Sequence, residues 1–226
     1  MAFDPLNAAP SQRLAWGAGE EAEGWFVGVR KLGLAALVLS LALLLAGLVA
    51  CQSHVFNGTE YDNPEMAADF SLRNVEGGEF RLSDRGGEYM LIYFGYTSCP
   101  DVCPATLAQA KQIFDGLGDE AKLVRLLFIT VDPERDTPEV MANYISVFHP
   151  NIIGLTGDPG TLEQVFQDYG IVAEREALPD SAVGYVMNHT TRLFLVDSEG
   201  RLRLSWSFGT PPADIIEDLI ALMEGK

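Results

Sequence analysis

Short runs of unbroken apolar residues alternate with longer stretches of helical spacing over most of this chain. Residues 90–94 and 124–131 are apolar almost throughout, as strands buried on both faces are. The first is followed by a helical pattern over 104–117. The second is followed by Thr137-Pro138-Glu139, a cap with a proline in the first turn, which opens another helix. Residues 70–75 and 79–82 flank Gly77-Gly78 and read as a hairpin. A short strand is expected over 151–155, and Asp158-Pro159 starts a helix running to Tyr169. Residues 192–197 and 201–208 form a second hairpin around Ser198-Glu199-Gly200, and 212–223 is a closing helix.

Strand, helix, strand, helix, then a hairpin and a helix is the order of a thioredoxin-like α/β sandwich. In such folds sites gather at the carboxyl ends of the central strands. The rest of the chain divides into a cytoplasmic tail (1–31), an apolar segment (32–50) and a stalk (51–68) rich in turn signals such as Asn57-Gly58 and Asn63-Pro64. The folded domain is 69–226.

Residues 32–50 hold no charge and are long enough to cross the hydrocarbon core of a bilayer, with Arg30 and Lys31 directly before them. The positive-inside rule then leaves everything after Cys51 outside the cytoplasm. Leu48-Val49-Ala50-Cys51 also resembles a lipoprotein box with a lipidated Cys51, although the leader is long for that reading. A start at Val29 would shorten it to a compact signal. Both readings tether the domain at the outer face of a cell membrane. That side is oxidising, so a working dithiol there needs a reductant or a metal. The chain carries a net charge of −17, and the first 50 residues contribute only four acidic and three basic side chains. So acidic a surface repels nucleic acid, and its plainest role is solubility.

The candidate chemistry lies in Tyr93-Phe94-Gly95-Tyr96-Thr97-Ser98-Cys99-Pro100-Asp101-Val102-Cys103-Pro104, where the 90–94 strand gives way to a helix. A spacing of four puts the two sulfurs on one side of the first helical turn, with Cβ atoms roughly 5–6 Å apart. They are placed to share a metal ion or to close a disulfide. The helix N-terminus favours the thiolate, which is both nucleophile and metal ligand. A purely structural disulfide would close too small a loop to stabilise much. His189 stands in the loop expected before the 192–197 strand, facing the cysteines across the site. A disulfide oxidoreductase of this fold would carry a cis-proline there, and this chain has His189-Thr190-Thr191. Two thiolates and an imidazole are a soft set that suits Cu(I), and Cu(II) with an added oxygen donor. Zinc accepts these ligands but prefers a fourth protein donor. Asp132 ends the second buried strand at the same edge. It is a candidate oxygen ligand or an outer partner of the site, or else it turns the chain and pairs with Arg135. His54 and His149 are poorer candidates, one in the stalk and one at a helix end.

The Tyr93 to Pro104 stretch, the run Val131-Asp132-Pro133-Glu134-Arg135-Asp136-Thr137-Pro138 and the run Tyr185-Val186-Met187-Asn188-His189 together resemble the Sco/SenC family of copper-binding, membrane-tethered proteins. The resemblance covers roughly residues 69–223. It implies a thioredoxin-like fold, copper held by Cys99, Cys103 and His189, and a role in building the dinuclear copper centre of cytochrome c oxidase. The implied partners are the copper-bearing subunit of that oxidase or its assembly factors. The role is that of a metallochaperone, or of a thiol-disulfide oxidoreductase using Cys99 and Cys103 to keep the acceptor's cysteines reduced. One departure stands out: the family usually has Asp directly before the histidine, and this chain has Asn188. A peroxidase of the peroxiredoxin type is disfavoured, because Gly95-Tyr96-Thr97-Ser98 lacks the Pro and Thr spacing of that family.

Overall fold

The computed structural model describes residues 54–179, 181 and 183–225. Its strands are β1 (Thr59–Glu60), β2 (Ser71–Asn74), β3 (Glu79–Arg81), β4 (Tyr89–Gly95), β5 (Val124–Thr130), β6 (Ile152–Thr156), β7 (Ala173–Leu178), β8 (Gly184–His189), β9 (Arg192–Val196) and β10 (Leu202–Ser207). The helices are α1 (Val102–Leu117), α2 (Pro138–Ser146), α3 (Pro159–Asp168) and α4 (Pro212–Met223). Eight strands make one mixed sheet in the order β1-β10-β9-β4-β5-β6-β2-β3, while β7 and β8 pair only with each other.

The centre of the sheet follows from the apolar runs. All seven residues of β4 are buried, and β4 pairs in parallel with β5, which pairs in parallel with β6. Such strands have no solvent face and therefore no alternation. α1 lies beside α4, close enough that a Cβ on Gly116 would stand 2.5 Å from Ile216 Cδ1. The expected caps are present. Thr137 Oγ1 accepts from the amide of Val140 at 3.3 Å, and Asp158 Oδ1 from those of Gly160 and Thr161, both at 3.1 Å.

Three expectations need correction. Residues 54–68 are not a free stalk: β1 adds an antiparallel edge to β10, and Asn57 and Gly58 bond to the buried carboxylate of Asp218 on α4. The turn signals are real, but the turns are used to lay the segment along the sheet. The hairpin β7–β8 was not anticipated. Consequently His189 is the last residue of a strand and not a loop residue. Helix α1 also starts two residues before Pro104, which brings Cys103 inside its first turn. The apolar segment 32–50 and Cys51 lie outside the described residues. Among the described residues no helix is long and apolar enough to cross a membrane.

Candidate metal centre

The site is built where β4 ends. Gly95 closes the strand in register with Thr130 of β5, and its carbonyl accepts from the amide of Val131 at 2.9 Å. The chain then turns through residues 96–101 into α1. That turn is fixed from the neighbouring loop by Asp136, a fully buried carboxylate. Its oxygens accept from the Thr97 amide at 3.1 and 3.2 Å, from Thr97 Oγ1 at 2.5 Å and from Thr130 Oγ1 at 2.7 Å. Burial pushes the Asp136 carboxyl above its usual range despite these donors. The carboxylate thus sits at an energetic cost, and what it secures is the position of the turn that carries Cys99.

Cys103 is wholly buried in the first turn of α1, and Cys99 is half-buried ahead of it. No disulfide joins them. The Cys103 amide donates to Cys99 Sγ at 3.4 Å. The Cys103 thiol hydrogen bond and that backbone N–H hold Cys99 well below the usual cysteine range, against the opposing effect of burial. Cys103 moves the other way, because its proton is shared towards Cys99 and because it is buried. The arrangement therefore favours the thiolate form at the more accessible Cys99 and the protonated form at the buried Cys103. Tyr93, whose phenol is pushed up by burial and keeps its proton, donates to Cys103 Sγ at 3.6 Å.

His189 closes the group. Its Nδ1 stands 3.0 Å from the carbonyl oxygen of Thr190, which assigns the ring proton to Nδ1 and leaves the Nε2 lone pair free. Nε2 faces Cys103 Sγ at 3.6 Å. The rings of Tyr96 and Tyr93 meet the imidazole edge-on, with centroids at 5.7 and 6.3 Å. The three ligand atoms of Cys99, Cys103 and His189 all lie within 4.8 Å of one another. Three donors set trigonally about an ion at a bond length of about 2.3 Å stand ~4 Å apart, so the group accepts a metal with little movement. Its softness favours a monovalent copper ion.

The structure brings together the three residues expected to ligate and leaves the other candidates out. Asp132 is buried, but its carboxylate is engaged by Arg135 Nε and by Tyr185 Oη at 2.8 Å, not by the cysteines. It pairs with Arg135 as a chain-turning aspartate does, and it also reaches Tyr185 on the strand that carries His189. His54 lies against Asp218, and His149 stacks on Phe114 with centroids 4.5 Å apart. Asn188 points away from the site and donates to Glu176 Oε2 at 2.7 Å. Tyr93, Gly95, Thr97 and Asp136 were not singled out from the sequence. For Asp136 the available signal was a second aspartate four residues after Asp132, at the end of the same central strand.

Residues 58–224 match the family model described as SCO1/SenC. The chain is 33% identical over 189 residues to a SCO2-like protein of Rickettsia felis, an alignment covering 83% of this chain and 90% of that one. Its fold is similar to the solution structure of apo Sco1 from Thermus thermophilus, with a TM-score of 0.67 and 37% identity over 75% of this chain and 98% of the other. It is similar also to the copper-bound structure of Bradyrhizobium japonicum ScoI, with a TM-score of 0.63 and 36% identity over 69% and 98%.

Proposed function

This chain belongs to the SCO1/SenC family, and from that membership we propose that it is a copper metallochaperone, tethered at the outer face of a membrane, that serves the dinuclear copper centre of cytochrome c oxidase. The observation that carries the reading is the convergence of Cys99, Cys103 and His189 within 4.8 Å at the carboxyl end of the central strand. The copper-bound relative supports the identity of the ion, and the family resemblance supports the acceptor. The apolar segment 32–50 behind Arg30 and Lys31, or lipidation at Cys51, supports the tether.

A carrier must hold its ion and also let it go. Two sulfurs and one nitrogen leave Cu(I) short of four ligands, so an incoming thiolate adds to the set before any donor leaves. Cys99 is the sulfur an acceptor can reach, and Cys103 lies behind it in the core. Exchange therefore begins at Cys99 and ends with release from Cys103.

The same asymmetry favours a second reading, a thiol-disulfide oxidoreductase. The Cys99 thiolate attacks a partner disulfide and expels one partner thiolate. Cys103 then gives up its proton and closes the Cys99–Cys103 disulfide, releasing the second thiolate, so that two electrons pass to the partner. That reaction needs the two sulfurs and not the imidazole.

Titration of the reduced protein with Cu(I) against a competing chelator decides between them. One ion per chain is expected, with tight binding lost in Cys99→Ser and in Cys103→Ser. His189→Ala is expected to lower Cu(I) affinity at least about 10- to 100-fold, the cost seen when even outer partners of a metal site are removed, and to leave reduction of a partner disulfide unchanged. Binding that survives replacement of both cysteines, or no binding at all, removes the copper reading. Normal oxidase assembly in cells carrying only His189→Ala would favour the reductase.

A further inference from the structure

His189 reaches the cysteines from a hairpin that has no backbone ladder with the main sheet. The hairpin is held by partial packing of Ala173 and Met187 on the core, by the edge-on contacts of His189 with Tyr93 and Tyr96, and by polar contacts, among them the Met187 amide donating to Tyr96 Oη at 3.3 Å. Tyr185, Met187 and His189 alternate along β8 and so share one face. At the far end of that face, Tyr185 Oη donates to Asp132 Oδ1 at 2.8 Å. Arg135 Nη1 donates to the carbonyl oxygen of Tyr185 at 3.1 Å, and its guanidinium carbon lies 3.7 Å from the centroid of the Tyr185 ring. The guanidinium of Arg175 lies 4.0 Å from the same centroid and pairs with Glu134. Asp132 itself is buried and clasped by Arg135 Nε. The loop that supplies Asp132 and Arg135 is also the one whose Asp136 holds Thr97, two residues before Cys99.

We propose that Asp132, Arg135 and Tyr185 form a latch that positions His189, so that seating or release of the hairpin decides whether the imidazole completes the copper site. None of the three belongs to the ligand group of Cys99, Cys103 and His189. They act through four residues of strand, roughly 13 Å of extended backbone, and they join the histidine-bearing and cysteine-bearing segments to one loop. With the latch made, the imidazole is delivered beside Cys103. With it open, Cu(I) is left on the two sulfurs, the form from which an acceptor's thiolate takes it most readily. The inference rests on the copper reading above.

Two substitutions open the latch by different routes. Tyr185→Phe keeps the ring under the guanidinium groups and deletes the bond to Asp132, while Arg135→Lys keeps the positive charge and deletes the planar stack and the bond to the Tyr185 carbonyl. In the full chain in detergent, each is expected to lower Cu(I) affinity about tenfold and to speed copper loss to a chelator by a similar factor. In a His189→Ala background, where affinity is already reduced, Tyr185→Phe is expected to change nothing further. The metal-free reduced protein supplies an independent readout: the His189 ring resonances should shift, and the amides of residues 184–189 should exchange faster in Tyr185→Phe than in the parent. An equal loss of affinity with and without His189, or no loss in either background, overturns the latch. Should the parent bind no copper, the copper reading fails, and unchanged His189 resonances in Tyr185→Phe would then remove the latch as well.

Discussion

Gly95 is glycine because three immovable neighbours occupy the space a side chain would need. A Cβ there would lie 2.7 Å from Phe128 Cε2, 2.8 Å from Tyr93 Cε1 and 3.1 Å from Cys103 Sγ, and all three residues are fully buried. The backbone is ordinary strand, so the constraint is space and not conformation. Gly95→Ala must therefore push Cys103 or the two rings aside, an overpacking that costs about 1–3 kcal/mol. Denaturant unfolding should show that loss, and Cu(I) competition should show weakened binding, because one of the displaced atoms is a ligand. A variant as stable as the parent with unchanged copper affinity would mean that the strand end shifts freely. The contrast between Gly95 and the ligands explains what could be read from the sequence. Cys99, Cys103 and His189 declare their chemistry by residue type and spacing. Gly95 and Asp136 matter through Phe128, Thr97 and Thr130, and a single sequence does not display that proximity.

At the scale of elements, the turn between β9 and β10 is organised by one buried carboxylate. Asp197 Oδ1 accepts from the amides of Glu199 at 3.0 Å and Arg201 at 2.9 Å, while Oδ2 accepts from Arg201 Nε at 3.1 Å and Arg203 Nη1 at 3.3 Å. Burial alone would raise its pKa, but these donors outweigh it and hold the carboxyl below its usual range. An acid depressed in the folded state contributes stability above its unfolded value of about 3.9, and the contribution drains away as pH falls through the lower folded-state value. Asp197→Asn should thus cost about 1–3 kcal/mol at pH 7, and the gap from the parent should narrow below about pH 4. Thermal melts at pH 7, 5, 4 and 3 test this; a gap that stays constant would show that the charge is immaterial. This hairpin was legible because apolar strands flank Ser198-Glu199-Gly200. The other, β7–β8, was not. Ala173-Glu174-Arg175-Glu176-Ala177-Leu178 buries no face and carries residues that favour helices, so no period identifies it as a strand. Only the alternation Tyr185, Met187, His189 hinted at its partner, and the latch contacts that hold it are long-range.

For the whole molecule, the leading question is how the chain that follows Ser53 is joined to the domain. The joint is Asp218, a fully buried carboxylate on α4 that gathers donors from both ends of the folded chain. It accepts from the amides of Asn57 and Gly58, both at 2.9 Å, from Asn57 Nδ2 at 3.1 Å and from Trp206 Nε1 at 2.8 Å, with His54 Nε2 at 3.5 Å. Gly58 lies flat on the indole, where a Cβ would come within 2.6 Å of Nε1. Reading residues 51–68 as a stalk misses this, since the acceptor is 160 residues away from the glycine it holds. Asp218→Ala strands the Trp206 N–H and the two backbone amides without an acceptor, and a buried donor left unpaired is penalised more heavily than a lost bond. The expected loss is about 2–4 kcal/mol in unfolding free energy, accompanied by faster proteolysis near residues 54–60. Copper stoichiometry should stay at one, because Cys99, Cys103 and His189 make no contact with Asp218. Limited proteolysis with mass mapping, run beside chemical denaturation and Cu(I) titration, reads all three. Unchanged cleavage at residues 54–60 in Asp218→Ala would show that β1 and its pairing to β10 hold the segment unaided.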